Sequence, residues 1–149
     1  MQNQRILWVD DDIEHLKPFI IFLEERGYSV ATASNGIDAI EIIVEENFDL
    51  ILLDEMMPGL DGLSTLKEIK SINPSIPVVM VTKSEEEGIM DRAIASQISD
   101  YLIKPVKPSQ ILITIKKIFE ADEIRRNKIG EEYSQFVMKL NQVMFNTPS

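Results

Sequence analysis

Cysteine is absent from this 149-residue chain, so no disulfide staples it. A chain of this length can bury a core that folds without staples, and the absence suits a reducing compartment. Long apolar runs are also missing: none approaches the roughly 20 residues needed to span a bilayer. The N-terminal Met1-Gln2-Asn3-Gln4-Arg5 enters a strand without the apolar stretch of a signal peptide. A cytoplasmic protein with no membrane partner is therefore expected. Positive charge is scarce, with 15 Lys and Arg against 25 Asp and Glu and a formal net charge of -10. Neutralising nucleic-acid phosphates takes a basic face, so no direct nucleic-acid binding is expected of this segment. Glycine cradles for phosphate are lacking as well, because Gly59-Leu60-Asp61-Gly62 fits neither a P-loop nor a dinucleotide fingerprint. The single histidine, His15, adjoins Leu16 in a helical pattern, where a surface or boundary place is expected rather than a phosphodonor role.

What the chain does contain is an alternation of strand and helix signals. Short apolar runs at Arg5-Ile6-Leu7-Trp8-Val9, Tyr28 to Ala33, Asp49 to Asp54, Val78-Val79-Met80-Val81 and Asp100 to Lys104 read as strands. Nearly continuous apolar runs are expected where helices cover both faces of a parallel sheet. Between them fall helical patterns. Ile13 to Arg26 turns Leu16, Phe19, Ile20 and Leu23 to one side and stops at Gly27. Gly36 to Glu46 is expected to bury Ile40, Ile43 and Val44, and Leu63, Leu66 and Ile69 mark a third helix ending near Asn73-Pro74. Ile89, Met90, Ala93 and Ile94 mark a fourth, opened by Glu85-Glu86-Glu87, acids that suit the positive end of a helix dipole. Ile111, Leu112, Ile115, Ile118 and Phe119 mark a fifth, with Ser109 as its expected cap. Five βα units predict a doubly wound α/β sandwich.

The chemistry gathers at the strand ends. Asp10, Asp11 and Asp12 follow the first strand, Asp54 ends the third, Thr82 follows the fourth and Lys104 the fifth. In an open parallel α/β sheet, functional groups collect at the carboxyl edge of the strands. Capping and solvation explain one such carboxylate at a time, not several on the same edge. Neighbouring carboxylates repel unless a cation lies among them, and Mg²⁺ suits the set because it takes one or two carboxylates and keeps waters and phosphate oxygens. Asp54 is then the candidate nucleophile of a phosphoryl site, with Thr82 and Lys104 binding the remaining oxygens. Thr82 taken alone reads more readily as just the last residue of a strand than as a site residue. Pro105 fixes the turn that aims Lys104.

These residues closely resemble the receiver domain of two-component response regulators. The likeness runs from about Gln4 to Phe119 and rests on Val9-Asp10-Asp11-Asp12, Asp54-Glu55-Met56-Met57-Pro58-Gly59-Leu60-Asp61-Gly62, Val81-Thr82 and Tyr101-Leu102-Ile103-Lys104-Pro105. It implies a flavodoxin-like (βα)5 sheet of order 2-1-3-4-5 and Mg²⁺-dependent transfer of phosphate from a sensor histidine kinase to Asp54, later lost to water. It further implies metal binding by Asp11, Asp54 and the backbone carbonyl of Met56, with Asp10 acting through a water. Thr82 and Tyr101 would form the switch pair, and the fourth helix, fifth strand and fifth helix the readout surface. The Lys104–Pro105 bond is expected to be cis. One departure is Lys83, where the family usually has a small residue after the switch threonine; its ammonium would alter the kinetics of phosphate gain and loss.

Such a domain is a switch acting only on its own phosphate, not an enzyme turning over a substrate. The enzymatic alternative is a haloacid-dehalogenase-type phosphatase, which also uses an aspartyl phosphate, Mg²⁺ and a lysine. That family places its nucleophile in an Asp-x-Asp-x-Thr/Val pattern after its first strand, whereas Asp10-Asp11-Asp12 here continues into Ile13-Glu14. A third alternative, a pure interaction module, would be marked by loss of Asp54, the acid pair or the lysine. None is lost. The expected organisation is a receiver over residues 1–122, followed at 123–149 by a helical linker or the start of a missing output domain. There Ile129, Tyr133, Phe136, Val137, Leu140, Val143 and Met144 form an apolar stripe after a charged run. The expected partners are the kinase, the chain's own output domain or a downstream protein, and a second copy on phosphorylation.

Overall fold

The computed structural model describes residues 3–55, 57, 59–83 and 97–145. Its elements are β1 (Arg5–Val9), α1 (Ile13–Glu24), β2 (Ser29–Ala33), α2 (Gly36–Glu45), β3 (Leu50–Asp54), α3 (Gly62–Ile72), β4 (Val78–Thr82), β5 (Asp100–Ile103) and α4 (Pro108–Phe145). The helix expected on Ile89, Met90, Ala93 and Ile94, with its acidic opening at Glu85 to Glu87, lies outside the described residues. Residues up to Thr114 form one compact unit and those from Ile115 onward a second, the division falling within α4.

In the first unit, five parallel strands form one sheet in the order β2-β1-β3-β4-β5, the doubly wound flavodoxin-like arrangement expected. Hydrophobic side chains drive β3 and β4 inward, and every residue of both strands is buried. Because the sheet is parallel, its register brings the carboxyl ends level. Val9 pairs with Leu53, Asp54 with Val81, and Thr82 with Ile103. At this edge the pairing continues past the strand ends, where the N–H of Asp10 donates to Ala33 O at 3.0 Å, that of Glu55 to Val81 O at 3.3 Å and that of Lys104 to Thr82 O at 2.7 Å.

Helix starts follow their capping residues. Asp12 accepts from the His15 N–H at 3.2 Å, Asn35 from that of Asp38 at 2.8 Å, and Asp61 from that of Ser64 at 2.8 Å. Asp12 therefore stands apart from the other two acids after β1, as the cap of α1. The hydrogen bond from Ser64 holds the Asp61 carboxyl below its ordinary pKa. At the other end of α3, burial lowers the pKa of Lys70, whose Nζ donates to Ile76 O at 2.5 Å. Gly27, after α1, takes φ +93, a left-handed conformation that suits glycine.

Two expectations are corrected. Val44 is not inward but 68 % exposed, because α2 buries Gly36, Ala39 and Ile43 and Val44 lies about 100° around from Ile43. Ser109 does not cap the last helix. The helix begins one residue earlier, at Pro108, whose fixed φ and missing N–H suit a first helical position. Gln110 then reaches back to accept from the Lys107 N–H at 2.8 Å, one half of a capping box.

Within the second unit the described residues are a single stretch of α4. Ile129, Tyr133, Phe136, Leu140 and Val143 are all exposed there, and Asp122 pairs with Arg125 and Arg126 along the helix, each at 3.0 Å.

Candidate functional site

Asp10 and Asp54 are 3 % and 2 % exposed, although an isolated buried carboxylate is costly. Both meet the same cation. Lys104 Nζ lies 3.3 Å from Asp10 Oδ2 and 3.5 Å from Asp54 Oδ2, so three strand ends converge on one ion-pair network. The Lys104–Pro105 bond is cis, as the resemblance implied. Asp10 is further held through its Oδ1, which accepts from the Asp12 N–H at 2.9 Å. Asp11, beside it, is exposed and free to reach a ligand from solvent.

Oxygen atoms of Asp10, Asp11 and Asp54 all lie within 4.8 Å of one another. Clustered carboxylate oxygens are the hard donors that Mg²⁺ takes, with waters completing its octahedral shell. One ammonium against three carboxylates also leaves an excess of negative charge that a divalent cation offsets. The backbone carbonyl of Met56, the remaining expected ligand, lies outside the described residues.

Thr82 is fully buried at the end of β4. Its Oγ1 donates to Glu55 Oε2 at 2.6 Å, and Glu55 is itself only 6 % exposed. Tyr101, the expected switch partner, is half-buried in β5 and packs against the core cluster containing Leu53, Met57 and Met80. Lys83 is exposed, yet with Asp10, Lys104, His15, Phe19 and Trp8 it lines a cleft of about 420 Å³. Lys83 therefore borders the same cleft as Asp10. His15 is exposed, with its ring 5.9 Å from Phe19, in line with the surface place expected.

Two residues matter here that sequence reasoning passed over. One is Glu55, read only as part of a motif, whose N–H donates to Val81 O at 3.3 Å and so brings it alongside Thr82. The other is Gly62, whose N–H donates to Glu55 O at 3.0 Å. A Cβ on Gly62 would stand 2.5 Å from Asp54 O and from Glu55 Cα, so α3 can begin against the end of β3 only without a side chain at that position.

A parallel sheet of this order, with acids and a lysine convergent at its carboxyl edge, defines a receiver domain. The chain belongs to that family: residues 6–116 match the model of the response regulator receiver domain. It is 40% identical over 126 residues to the transcriptional regulatory protein ZraR of Klebsiella oxytoca, covering 85% of this chain but 28% of ZraR. The chain thus spans little more than a quarter of that curated relative's length. Among solved structures it is similar to a CheY-like receiver domain of Methanospirillum hungatei, with TM-score 0.78 and 29% identity over 83% of this chain and 99% of that one. The response regulator TrrA of Thermotoga maritima, solved in complex with Mg(2+)-BeF, aligns with TM-score 0.68 and 28% identity over 76% of this chain and 97% of that one. These matches do not favour the haloacid-dehalogenase alternative. No described helix is long and apolar enough to cross a membrane.

Proposed function

We propose that the domain accepts a phosphoryl group on Asp54 from a sensor histidine kinase and converts its presence into a change of surface. The observation that carries this reading is the convergence on Asp54 of Lys104, at 3.5 Å, and of the Asp10 and Asp11 carboxylates within 4.8 Å. One Asp54 oxygen attacks phosphorus, the bond from phosphorus to the kinase imidazole nitrogen breaks, and its electron pair returns to that nitrogen. Asp54 keeps the phosphoryl group as an acyl phosphate. Water later attacks phosphorus, releasing inorganic phosphate and restoring the carboxylate. Asp11, Asp54 and the Met56 carbonyl would hold Mg²⁺, with Asp10 acting through a water, and the bound ion would neutralise the charge that builds between carboxylate and phosphoryl oxygens. Lys104 pairs with a phosphoryl oxygen, and the Thr82 hydroxyl donates to another.

As Thr82 turns to the phosphoryl group, the Tyr101 ring moves into the space it leaves. That exchange remodels the surface around β5 and the start of α4, and acts on an output domain, a downstream protein or a second copy. The domain catalyses only its own phosphorylation and dephosphorylation, with Lys83 adjusting both rates. TrrA, a relative solved with Mg(2+)-BeF, supports the metal-dependent part of this reading.

Intact-mass measurement after incubation with Mg²⁺ and acetyl phosphate tests the proposal. A one-phosphate mass increase that Asp54→Asn abolishes is the expected result. An unchanged increase in that variant would remove Asp54 from its role.

A further inference from the structure

We infer that Glu55 is a latch on Thr82, holding its hydroxyl in the resting position so that phosphorylation has to break the Thr82–Glu55 hydrogen bond. This rests on the reading of Asp54 and Thr82 above, and adds to it a residue that sets how readily the switch turns.

The bond itself is short and dry. At 2.6 Å, between a fully buried hydroxyl and a carboxylate 6 % exposed, it falls in the range of about 2.5–2.7 Å typical of a hydroxyl donating to an ionised acceptor. A hydroxyl has one proton to donate. Thr82 Oγ1 can therefore give it to Glu55 or to a phosphoryl oxygen on Asp54, and not to both. Chain adjacency makes the two acceptors rivals, since Glu55 follows Asp54 directly and Thr82 ends the strand beside them.

Nor can Glu55 readily follow the hydroxyl. Its N–H is tied to Val81 O at 3.3 Å, its carbonyl accepts from the Gly62 N–H at 3.0 Å, and the Gly62 Cα packs so closely that a Cβ there would meet Glu55 Cα at 2.5 Å. With the backbone clamped from the sheet side and the helix side, the exchange falls to rotation about the Thr82 side chain. A ligand shifts a two-state equilibrium only by its differential interaction with the two states. The phosphoryl group must accordingly outbid a buried carboxylate for one proton, and Glu55 biases the unphosphorylated domain toward rest.

The test compares wild type, Glu55→Gln, Glu55→Ala, Thr82→Val and the double variant Glu55→Ala/Thr82→Val. Rates of phosphate uptake from acetyl phosphate with Mg²⁺ are followed by intact mass. In the unphosphorylated proteins, three-bond couplings to the Thr82 methyl carbon report its χ1 rotamer. We expect one rotamer in wild type, rotamer averaging in Glu55→Ala, and uptake faster by about tenfold in that variant, with Glu55→Gln between the two because its amide oxygen accepts without charge. In the Thr82→Val background the substitution of Glu55 should leave uptake unchanged. A fixed wild-type-like rotamer in Glu55→Ala overturns the latch, as does acceleration that persists without the Thr82 hydroxyl, which would mean that Glu55 acts on Asp54 through its charge. Should Glu55→Ala fail to fold, the same two readings on the near-isosteric Glu55→Gln decide: uptake and rotamer both identical to wild type overturn the idea. Absence of a mass increase in every protein would instead sink the phosphoacceptor reading, and the rotamer comparison would still judge the latch.

Discussion

Gly62 meets Asp54 end-on: a Cβ at Gly62 would come within 2.5 Å of the Asp54 carbonyl oxygen, so the first turn of α3 rests directly on the residue that carries the site. The contact is with backbone on both sides, which cannot swing aside as a flexible side chain would. It links the first residue of α3 to the placement of the carboxylate that ends β3.

Gly62→Ala should therefore destabilise the domain even though alanine is the better helix former. Overpacking of this kind costs about 1–3 kcal/mol, more than the ~1 kcal/mol that replacing a helical glycine returns. Urea denaturation should show a lower midpoint, and phosphate uptake should slow as the end of β3 shifts. Stability equal to wild type would mean that α3 can slide without disturbing Asp54.

Removal of a metal ligand should separate binding from folding. Asp11 is exposed, so Asp11→Ala leaves no buried group unpaired, and thermal stability without metal should hold within about 0.5 kcal/mol. Mg²⁺ binding by calorimetry should be weak in wild type and lost in the variant. Buried Trp8, two residues before Asp10, offers a second signal through its fluorescence. Equal Mg²⁺ affinity in the two proteins would take Asp11 out of the coordination sphere.

The sheet and most of this site were legible because their signals are local and repeated. Runs such as Leu50-Ile51-Leu52-Leu53, recurring between helical patterns, read as buried strands of a helix-covered sheet, and the polar residues closing four of the five runs mark the functional edge. Val44 misled because size was taken for burial, while the inward face of α2 is built on Gly36 and Ala39, small residues that allow close packing. Ser109 misled because a serine at a helix start reads as a cap, when Pro108 already opens the helix and Gln110 supplies the cap bond. Glu55 could not be read at all from its neighbours. A glutamate after a strand suggests solvent, and only the register of β3 against β4 places it beside a threonine 27 positions away.

Lys83 should affect rate and not site. It lines the cleft that also borders Asp10 and Lys104, so an added positive charge acts on the incoming phosphoryl group. Lys83→Ala should change phosphorylation or dephosphorylation several-fold, about 1 kcal/mol of barrier. Superimposable time courses would show that the ammonium stays in solvent throughout.

Stability below neutral pH should carry the mark of Asp61. Its carboxyl is held below the ordinary value by the Ser64 hydrogen bond, so its contribution is present above the unfolded pKa of about 4 and fades as pH falls through the lower folded value. Asp61→Ala should cost about 1 kcal/mol at pH 7, the usual worth of such a cap, and the difference from wild type should shrink in strong acid. A difference that stays constant down to pH 2 would assign the loss to something other than the charged cap.

The apolar stripe of α4 gives the last prediction. Ile129, Tyr133, Phe136, Leu140 and Val143 recur every three or four residues and are all exposed, an arrangement that needs a cover in water. If the segment is a helical linker to an output domain, the receiver does not depend on it. A version ending near Phe119 should then keep its denaturation midpoint and its hydrogen-exchange protection in β1, β3 and β4, and it should still take up phosphate. Sedimentation should find it monomeric under conditions where the 149-residue chain self-associates through the stripe. In the longer chain, phosphorylation at Asp54 should alter exchange protection between residues 123 and 145. A shortened protein that is markedly less stable as a monomer would place this segment in the receiver core and end the linker assignment.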